Sequence, residues 1–496
     1  MSTPPNEKIS EANAANVNEG GHVEVAEVAT ADVHDPLNWP ALQKLLLLNA
    51  LGLWIFLGTA NALINGSALY SISAEFSVPI ADTTYLIGAV ALMYGTGSIV
   101  WVAIGNRYGV RLTFVLTATA AACMAFWGAK ATSFGSLIGA RILSSFFYSS
   151  PETLGPQVAG DVFFLKDRAK VVTFIVVWQG SGFALGPLIG AYIFEAAGWR
   201  WTQYFMGIAT LTSTCILFLF YPETQYTRDH PSSTEKRRLL DNLRFWSVSG
   251  GGRPKVHSFW SAFLYPFPYI LHPVVFIPTI WAALGLMSSQ FLLTVATFSY
   301  QQVYSFDVKE SGLANLSPFI GVLTAIFLCG YLSDVYEMRT VRLAAESGRD
   351  VIPEKRLILT ILPAVLGIVG TALFGACNAH HCHWLGPMAG AFGSFFSFIG
   401  CLSILFTYFL DVYEARTDAV LVVLNGVKNF AAFGISYAVF PWVLSAGYVT
   451  PFVVLSMVVL FSYLLLALLY FTGPRMRRWT AARFETGKAS KHGDTF

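Results

Sequence analysis

The sequence has little charge and few cysteines. Only 12% of its 496 residues are Asp, Glu, Lys or Arg, about half of the share in soluble domains. Hydrophobic residues make up 55% of the chain, so a soluble protein of this length would lack the polar surface to cover its cores. Six scattered cysteines are too few for a disulfide framework. These deficits exclude an ordinary cytosolic enzyme, a secreted disulfide scaffold and a disordered protein.

Several motifs of catalysis and nucleotide binding are also missing. The sequence contains no Walker-type G-x-x-x-x-G-K-[ST] loop, no G-x-S-x-G and no H-E-x-x-H. These are the patterns of phosphate cradles, nucleophile elbows and zinc proteases. We therefore predict no enzymatic activity, no cofactor and no ATP-driven step, and we expect no nucleic-acid partner.

One short loop does carry metal-ligand residue types. His380, His381 and His383 lie beside Cys377 and Cys382, and such side chains bind zinc when they are held in a fixed geometry. A short flexible loop need not hold that geometry, so we predict no metal site. The two cysteines can instead form a disulfide if the loop faces an oxidising compartment.

Long apolar runs dominate the rest of the chain. A bilayer core of about 30 Å needs roughly 20 apolar residues per helix. The fourth predicted span is the least regular, because it contains Pro151 and Pro156 together with Arg141 and Glu152. The sequence therefore predicts an all-α integral membrane protein. Its twelve spans lie near 45–70, 84–104, 112–130, 134–158, 170–194, 201–221, 273–299, 312–332, 357–377, 384–410, 417–444 and 450–472.

The polar segments divide the spans six and six and indicate their orientation. We expect a disordered acidic tail at 1–44, a six-helix bundle at 45–221, a cytoplasmic linker at 222–272, a second bundle at 273–472 and a cytoplasmic tail at 473–496. With the amino terminus inside, 26 of the 31 basic residues are cytoplasmic, which is the bias found in membrane proteins. Both termini are therefore predicted to be cytoplasmic.

Two tight turns on the predicted cytoplasmic side share a pattern. The turn after span 2 carries Asn106, Arg107, Gly109 and Arg111, and the turn after span 8 carries Asp334 followed by two arginines. Small, capping and basic side chains in such turns can lock neighbouring helices through contacts that must break when two halves rock. The repetition also favours two pseudo-symmetric bundles. The alternative interpretation is a plain basic bias at tight loops.

The fifth span contains three glycines four residues apart. These are Gly182, Gly186 and Gly190, with Pro187 between the last two. Small residues at this spacing let one membrane helix approach another closely, and a proline removes a backbone donor and permits a bend. The spacing therefore predicts close packing against a partner helix, either as a gate against ion leak or as static packing.

These segments resemble those of one family. The turn at 106–111 is similar to the loop 2–3 signature of the major facilitator superfamily, although Asn106 replaces its acid and Val110 one of its bases. Residues 180–190 resemble the antiporter signature of drug:proton antiporters. With Pro222-Glu223-Thr224 after span 6, the chain is similar to the twelve-span fungal type, which includes polyamine transporters. The resemblance implies the major facilitator fold and the exchange of a small organic molecule with protons.

Charged side chains inside spans are costly and mark candidate functional residues. Arg141 and Glu152 are 11 residues apart, so on one continuous helix they share a face, about 16 Å apart along the axis. That distance is too long for a salt bridge, so each needs another partner. Glu152 is our candidate for proton coupling and Arg141 for substrate binding, and both can alternatively anchor helix contacts. A shared face predicts a charge-balanced site and mostly neutral cargo.

Lys428 is the matching base in span 11. It can neutralise an acid, bind an anion or snorkel to the interface, and its position only about 11 residues into span 11 favours snorkelling. Further candidates for substrate contacts are polar or aromatic groups at membrane depth, which suit helix–helix bonds or interfaces equally well. They are Asn61, Asn65, Gln179, Gln290, Tyr300 and Asn425.

Two asparagines fit the glycosylation pattern Asn-x-Ser. They are Asn65 and Asn315. Both lie within or close to a predicted span, so we expect neither to be modified.

We predict a monomeric secondary active transporter of the plasma membrane that moves a small molecule and protons through the lipid bilayer. The preferred function is export of a drug-like compound or fungal secondary metabolite by alternating access to a midplane cavity. The alternative within this class is proton-coupled uptake of a cationic nutrient such as a polyamine, which Glu152 would suit. The alternative from another class is a non-transporting membrane receptor, against which the short predicted tail argues.

Overall fold

The described part of the chain is built almost entirely from membrane-length helices. A computed structural model describes residues 35–225, 259–347, 353–413 and 417–484, and all regular secondary structure in these ranges is helical. Eleven of the described helices are long and apolar enough to cross a membrane. In lipid a helix satisfies its own backbone hydrogen bonds, which is why such runs fold this way. The predicted all-α membrane fold is confirmed.

The three predicted non-membrane segments fall partly outside these ranges. The first 34 residues and residues 485–496 lie outside the described residues, as does the middle of the predicted linker, 226–258.

The described helices of the first half are separated by short turns. Gly109 and Gly198 have φ values of 105° and 86°, a region that only glycine adopts without strain, and each joins two consecutive long helices. The helices are α1 Ala41–Leu63, α2 Leu69–Phe76, α3 Tyr85–Tyr108, α4 Val110–Ala129, α5 Phe134–Tyr148, α6 Ser150–Val162, α7 Leu165–Ala197 and α8 Trp199–Phe220.

The second half repeats the pattern of long helices with short connecting segments. Its last helix continues beyond the predicted end of span 12 at residue 472 and carries Arg475, Arg477 and Arg478 on the extension. The helices are α9 Phe259–Leu264, α10 Pro273–Val303, α11 Val308–Leu313, α12 Leu316–Ser347, α13 Ile361–Ala379, α14 Leu385–Tyr413, α15 Thr417–Ser436, α16 Val439–Ala446 and α17 Val449–Phe484.

The fourth predicted span is not one continuous helix. It forms α5 and α6, which meet at Ser149. Pro151 in the first turn of α6 has no amide hydrogen, so the helical hydrogen-bond ladder is interrupted there. The break explains why this segment is absent from the eleven membrane-length helices of the described residues. It also places Glu152 in the first turn of α6.

The two halves meet along a seam in which helices approach closely. Helix α3 packs against α15, and α7 packs against α12. A Cβ atom at Gly95 of α3 would lie 2.9 Å from the Phe430 ring, and one at Gly180 of α7 would lie 2.8 Å from Val322. Because real Cβ contacts are longer, these positions accept only glycine without rearrangement. The seam brings α6 and α15 together at its centre.

Contacts between the halves also exist at both ends of the seam. At the predicted outer end, Lys309 Nζ lies 2.6 Å from Glu195 Oε1, and the Tyr85 and Tyr437 rings are 5.2 Å apart. At the predicted cytoplasmic end, a hydrogen bond of 3.2 Å joins the hydroxyl groups of Thr173 and Ser403. The halves therefore touch above and below the centre of the seam.

Candidate functional site

A buried ion pair occupies the centre of the seam. Glu152 Oε1 of α6 lies 2.9 Å from Lys428 Nζ of α15, and the two side chains are only 4% and 2% exposed. Two amides complete the arrangement: Gln179 Nε2 donates to Glu152 Oε1 at 2.8 Å, and Asn429 Nδ2 donates to Oε2 at 3.1 Å. Both carboxylate oxygens therefore have polar partners. A buried charge without such partners would destabilise the fold by several kcal/mol, about as much as the removal of one partner from a buried ion pair.

The pair joins the two halves of the protein. Glu152 and Gln179 belong to the first half, whereas Lys428 and Asn429 belong to the second. Asn425, one turn before Asn429, donates a long hydrogen bond of 3.4 Å to the backbone oxygen of Glu152. Its own side-chain oxygen is buried and has no hydrogen-bond partner among the described residues. This cluster is called the seam site below, and it consists of Glu152, Gln179, Asn425, Lys428 and Asn429.

The prediction that Lys428 snorkels to the interface is wrong. Its side chain is buried and its ammonium group pairs with Glu152. An opposite charge at 2.9 Å stabilises the ammonium group inside the bundle, so the lysine has no need to reach water. Of the roles that the sequence left open, the geometry matches neutralisation of an acid.

Arg141 does not take part in the seam site. Its Nη1 donates to Asn61 Oδ1 at 2.7 Å, and its Nη2 donates to the backbone oxygens of Ala62 and Leu86 at 3.2 and 3.4 Å. Arg141 and Glu152 therefore have different partners, Asn61 and Lys428, as expected from their separation along the sequence. Arg141 lies in α5 and Glu152 in α6, so the geometry expected for one continuous helix does not apply to them. The base beside Glu152 is Lys428.

Asn65 is likewise used in contacts between helices. Its Oδ1 accepts hydrogen bonds from Thr202 Oγ1 at 2.8 Å and from Gln203 Nε2 at 3.0 Å. Asn65 and Asn315 are both 1% exposed, and the Asn315 amide donates to the backbone oxygens of Ser311 and Gly312 in the preceding helix α11. Their burial gives an attached sugar no space in this structure.

Two other predicted contact residues lie elsewhere. Gln290 is buried in α10 and makes no hydrogen bond to Glu152 or Lys428. Tyr300 lies near the predicted outer end of the same helix, where its ring packs against Phe306 and Phe374 with centroid distances of 6.0 and 6.4 Å. The structure therefore brings Gln179 and Asn425 to the ion pair, but not Asn61, Gln290 or Tyr300.

The glycines of the fifth predicted span pack against α1. A Cβ atom at Gly182 would lie 2.5 Å from Phe56 O, and one at Gly186 would lie 2.8 Å from Ala60 O. A Cβ atom at Gly190 would overlap Ile64 O. The predicted close approach is confirmed, and its partner is the first helix of the same half. Pro187 lies inside α7 at this contact.

The turn between α3 and α4 is held by residues of its own half. Asn106 Oδ1 accepts a hydrogen bond of 2.8 Å from Gln157 Nε2, and Arg111 Nη2 donates to Phe218 O at 2.9 Å. Arg107 is exposed and lies over the Tyr108 ring. These contacts stay within the first half, so they do not cross the seam. The side chain of Asp334, in the corresponding second turn, is not among those described.

Glu223 supplies a carboxylate to this turn, and the sequence reasoning missed its role. Its two oxygens accept hydrogen bonds of 3.2 Å from the backbone amides of Val110 and Arg111, the first residues of α4. A carboxylate at a helix amino terminus satisfies orphan donors and interacts favourably with the helix dipole. Burial raises the pKa of Glu223, although four backbone hydrogen bonds oppose that shift. A Cβ atom at Gly109 would lie 2.5 Å from this carboxylate.

The sequence and the fold correspond to those of a known family. The family model of the Major Facilitator Superfamily matches residues 50–433. The chain belongs to this superfamily. It is therefore a transporter by family, and the predicted resemblance is confirmed.

Several relatives of this major facilitator protein are fungal transporters. It is 23% identical to the MFS-type transporter penM of Penicillium rubens, over 82% of each chain. It is 24% identical to the multidrug transporter FLU1 of Candida albicans, over 83% of this chain and 67% of that one. The cycloheximide resistance protein of Candida maltosa is 25% identical over 76% of this chain and 70% of its own.

Solved major facilitator structures have the same fold. The human organic anion transporter MFSD10 (TETRAN) superposes with a TM-score of 0.56 at 17% identity, covering 86% of this chain and 100% of that chain. The xylose transporter XylE of E. coli gives a TM-score of 0.57 at 14% identity, covering 85% and 96%. At these identities the likeness concerns the fold alone.

The histidine and cysteine loop shows neither a disulfide nor a metal-ligand group. Cys377 is buried, Cys382 is exposed, and both are free thiols. Among the described residues, no three His, Cys, Asp or Glu side chains are grouped as they would be around a metal ion.

Proposed function

We propose that this protein is a secondary active transporter that exports a small organic compound in exchange for protons. The observation that carries this proposal is the buried Glu152–Lys428 ion pair across the seam. If the two halves rock apart around a central site, this pair must separate. Glu152 then needs a new partner, because an unpaired buried carboxylate is strongly destabilised. A proton bound to a Glu152 oxygen meets that need, and cargo can displace Lys428 in the same step.

The moving parts are proposed to be the bundles at 45–221 and 273–472. The contacts of Gly182, Gly186 and Gly190 with α1 lie inside the first bundle, which supports its movement as a unit. The contacts at the two ends of the seam, Lys309 with Glu195 and Thr173 with Ser403, are the ones that must open in turn. We further propose a monomer in the plasma membrane with both termini cytoplasmic, as the Lys and Arg distribution predicts.

Two observations support export of cargo with little net charge. The charges of the seam site cancel, so the site offers no excess of one sign to attract an ion. Relatives of the chain are named a multidrug transporter, a cycloheximide resistance protein and an efflux pump, and these names favour export of organic compounds.

The test is transport into inside-out membrane vesicles with an imposed proton gradient. Labelled neutral, cationic and anionic compounds are compared at two pH values, with Glu152→Gln as the inactive control. We expect gradient-dependent accumulation of neutral compounds by the unaltered protein only. Competition by polyamines alone would instead support cation uptake. Ligand binding with no flux of any compound would support a receptor.

A further inference from the structure

A cavity lies at the seam, away from the ion pair. It has a volume of about 300 Å³ and opens at the predicted cytoplasmic end between α7, α12 and α14, at the lower limit of pockets that hold small ligands. Lys170 and Thr173 of the first half line one wall, and residues of the second half line the other. The Thr173–Ser403 hydrogen bond joins the two walls. This space is called the seam cavity below.

Among the described residues that line the seam cavity, one is charged, and it is a base. Lys170 is exposed and has no ion pair within the described part of the chain, and no described carboxylate lines the cavity. The hydroxyl groups of Ser333, Ser403 and Thr407 are also on its walls. A lone ammonium group with nearby hydroxyl donors is complementary to a phosphate group.

The outer rim of the cavity faces the surrounding lipid. Phe327 and Tyr331 of α12 line it and are 75% and 67% exposed, although both lie in a membrane-length helix. Tyrosine is enriched at the headgroup level of membranes, and Phe327 adds exposed apolar surface beside Tyr331. Apolar surface for lipid acyl chains, from Phe327 and Tyr331, therefore lies beside the Lys170 cation, which suits a lipid headgroup.

We propose that the seam cavity binds an anionic phospholipid. Its headgroup phosphate contacts the Lys170 ammonium group, and its acyl chains lie along Phe327 and Tyr331. Because Lys170 and α12 belong to different halves, a bound lipid bridges the seam at this end and stabilises the closed arrangement of Thr173 and Ser403. Basic pockets between membrane helices are known to accept lipid headgroups, and the leaflet is the cytoplasmic one if the predicted orientation is correct.

The test uses the full-length protein in lipid nanodiscs. Phosphatidylglycerol with a photoactivatable diazirine on an acyl chain is added, and crosslinked peptides are mapped by mass spectrometry. We expect labelling of the segment Phe327–Ser333. Lys170→Ala should lower the yield about fivefold, since one lysine near an anionic membrane surface contributes about 1 kcal/mol. Lys355→Ala changes an exposed lysine at the same end, outside the cavity, and should leave the yield unchanged.

A second variant fills the cavity without changing its charge. A Cβ atom at Gly330 would have Thr173 Cγ2 as its nearest neighbour, 4.0 Å away, so Gly330→Leu should be accepted by the fold and should block the space. Its labelling should fall as in Lys170→Ala, while size-exclusion profiles stay unchanged. Equal labelling with a phosphatidylcholine probe, or full labelling in both variants, would overturn the proposal. Displacement of the lipid probe by dodecyl phosphate below its micellar concentration would show a site for soluble amphipathic anions instead. None of these outcomes depends on whether the protein exports cargo.

Discussion

Replacing Lys428 by Met is the most direct perturbation of the seam site. The methionine side chain has a similar length but no charge, so Glu152 loses its counter-ion while Gln179 and Asn429 keep their hydrogen bonds to it. The change therefore isolates the electrostatic part of the arrangement. We expect the variant to be clearly less stable than the unaltered protein.

The size of the effect follows from distance and burial. Two unit charges 2.9 Å apart attract by about 6 kcal/mol at an effective dielectric constant near 20. Desolvation of each ion costs several kcal/mol and offsets most of that attraction, so the intact pair adds little net stability. Removing one partner leaves the desolvation cost of the other ion without the attraction that offsets it, and typically lowers the free energy of unfolding by about 3–5 kcal/mol. Because two amide donors remain, we expect about 3 kcal/mol.

The assay is thermal unfolding in detergent, followed by fluorescence-detected size exclusion. A loss of about 3 kcal/mol corresponds to a Tm lower by roughly 6–12 °C for a unit of about 200 residues. The double variant Glu152→Gln, Lys428→Met removes both charges of the seam site and should regain most of the stability. Lys309→Met is the matched control, since the Lys309–Glu195 pair is exposed to solvent and its loss should leave the Tm nearly unchanged. Equal stability of Lys428→Met and the unaltered protein, or additive losses in the double variant, would refute the reasoning.

Three further predictions concern the other elements. Glu152→Gln keeps the shape of the side chain but removes its charge; gradient-driven transport in proteoliposomes should fall at least tenfold while membrane insertion persists, and unchanged flux would remove Glu152 from the mechanism. Gly186→Leu places a side chain against Ala60 O and should abolish transport or lower the yield of folded protein, whereas Gly135→Leu, where a Cβ atom meets nothing within 4 Å, should do neither. Glu223→Ala leaves two amides of α4 without their acceptor and should cost about 1–3 kcal/mol in thermal unfolding. Burial raises the pKa of Glu223, so the folded state binds this proton more tightly than the unfolded chain does. The stability that this proton adds is present at low pH and is lost as the pH rises through the raised pKa. Glu223→Gln should lack this pH dependence.

The fold was predictable because each membrane helix is determined by one continuous segment of sequence. A run of about 20 apolar residues has to be a helix in lipid, whatever it packs against. The exception is instructive. Pro151 and Glu152 marked the fourth span as irregular, and the structure divides it into α5 and α6, because a proline breaks the ladder in a way that hydropathy does not register.

The site was predictable only in part, because its contacts join residues far apart in sequence. Glu152, Lys428, Gln179 and Asn425 could be chosen singly as polar groups at membrane depth. That Glu152 meets Lys428 depends on how α6 and α15 are packed, which no local pattern contains. Asn429 was adjacent to Lys428 and four residues after Asn425, and that spacing on one helix face was the available signal. For Glu223 the signal was weaker, since an acid after a span is normally solvated.

The pairing also changes how the charge of the site is interpreted. Balance between Arg141 and Glu152 would have been a property of one helix and would have persisted through any movement of the halves. Balance between Glu152 and Lys428 exists only while the halves are together, because each half contributes one charge. Separation of the halves then creates two uncompensated buried charges at once, and each must be met by a proton, by water or by cargo. Arg141 remains bonded to Asn61 within the first half and is unaffected. In the proposed exchange mechanism, the energetic link between conformation and proton binding is that each half contributes one charge of this ion pair.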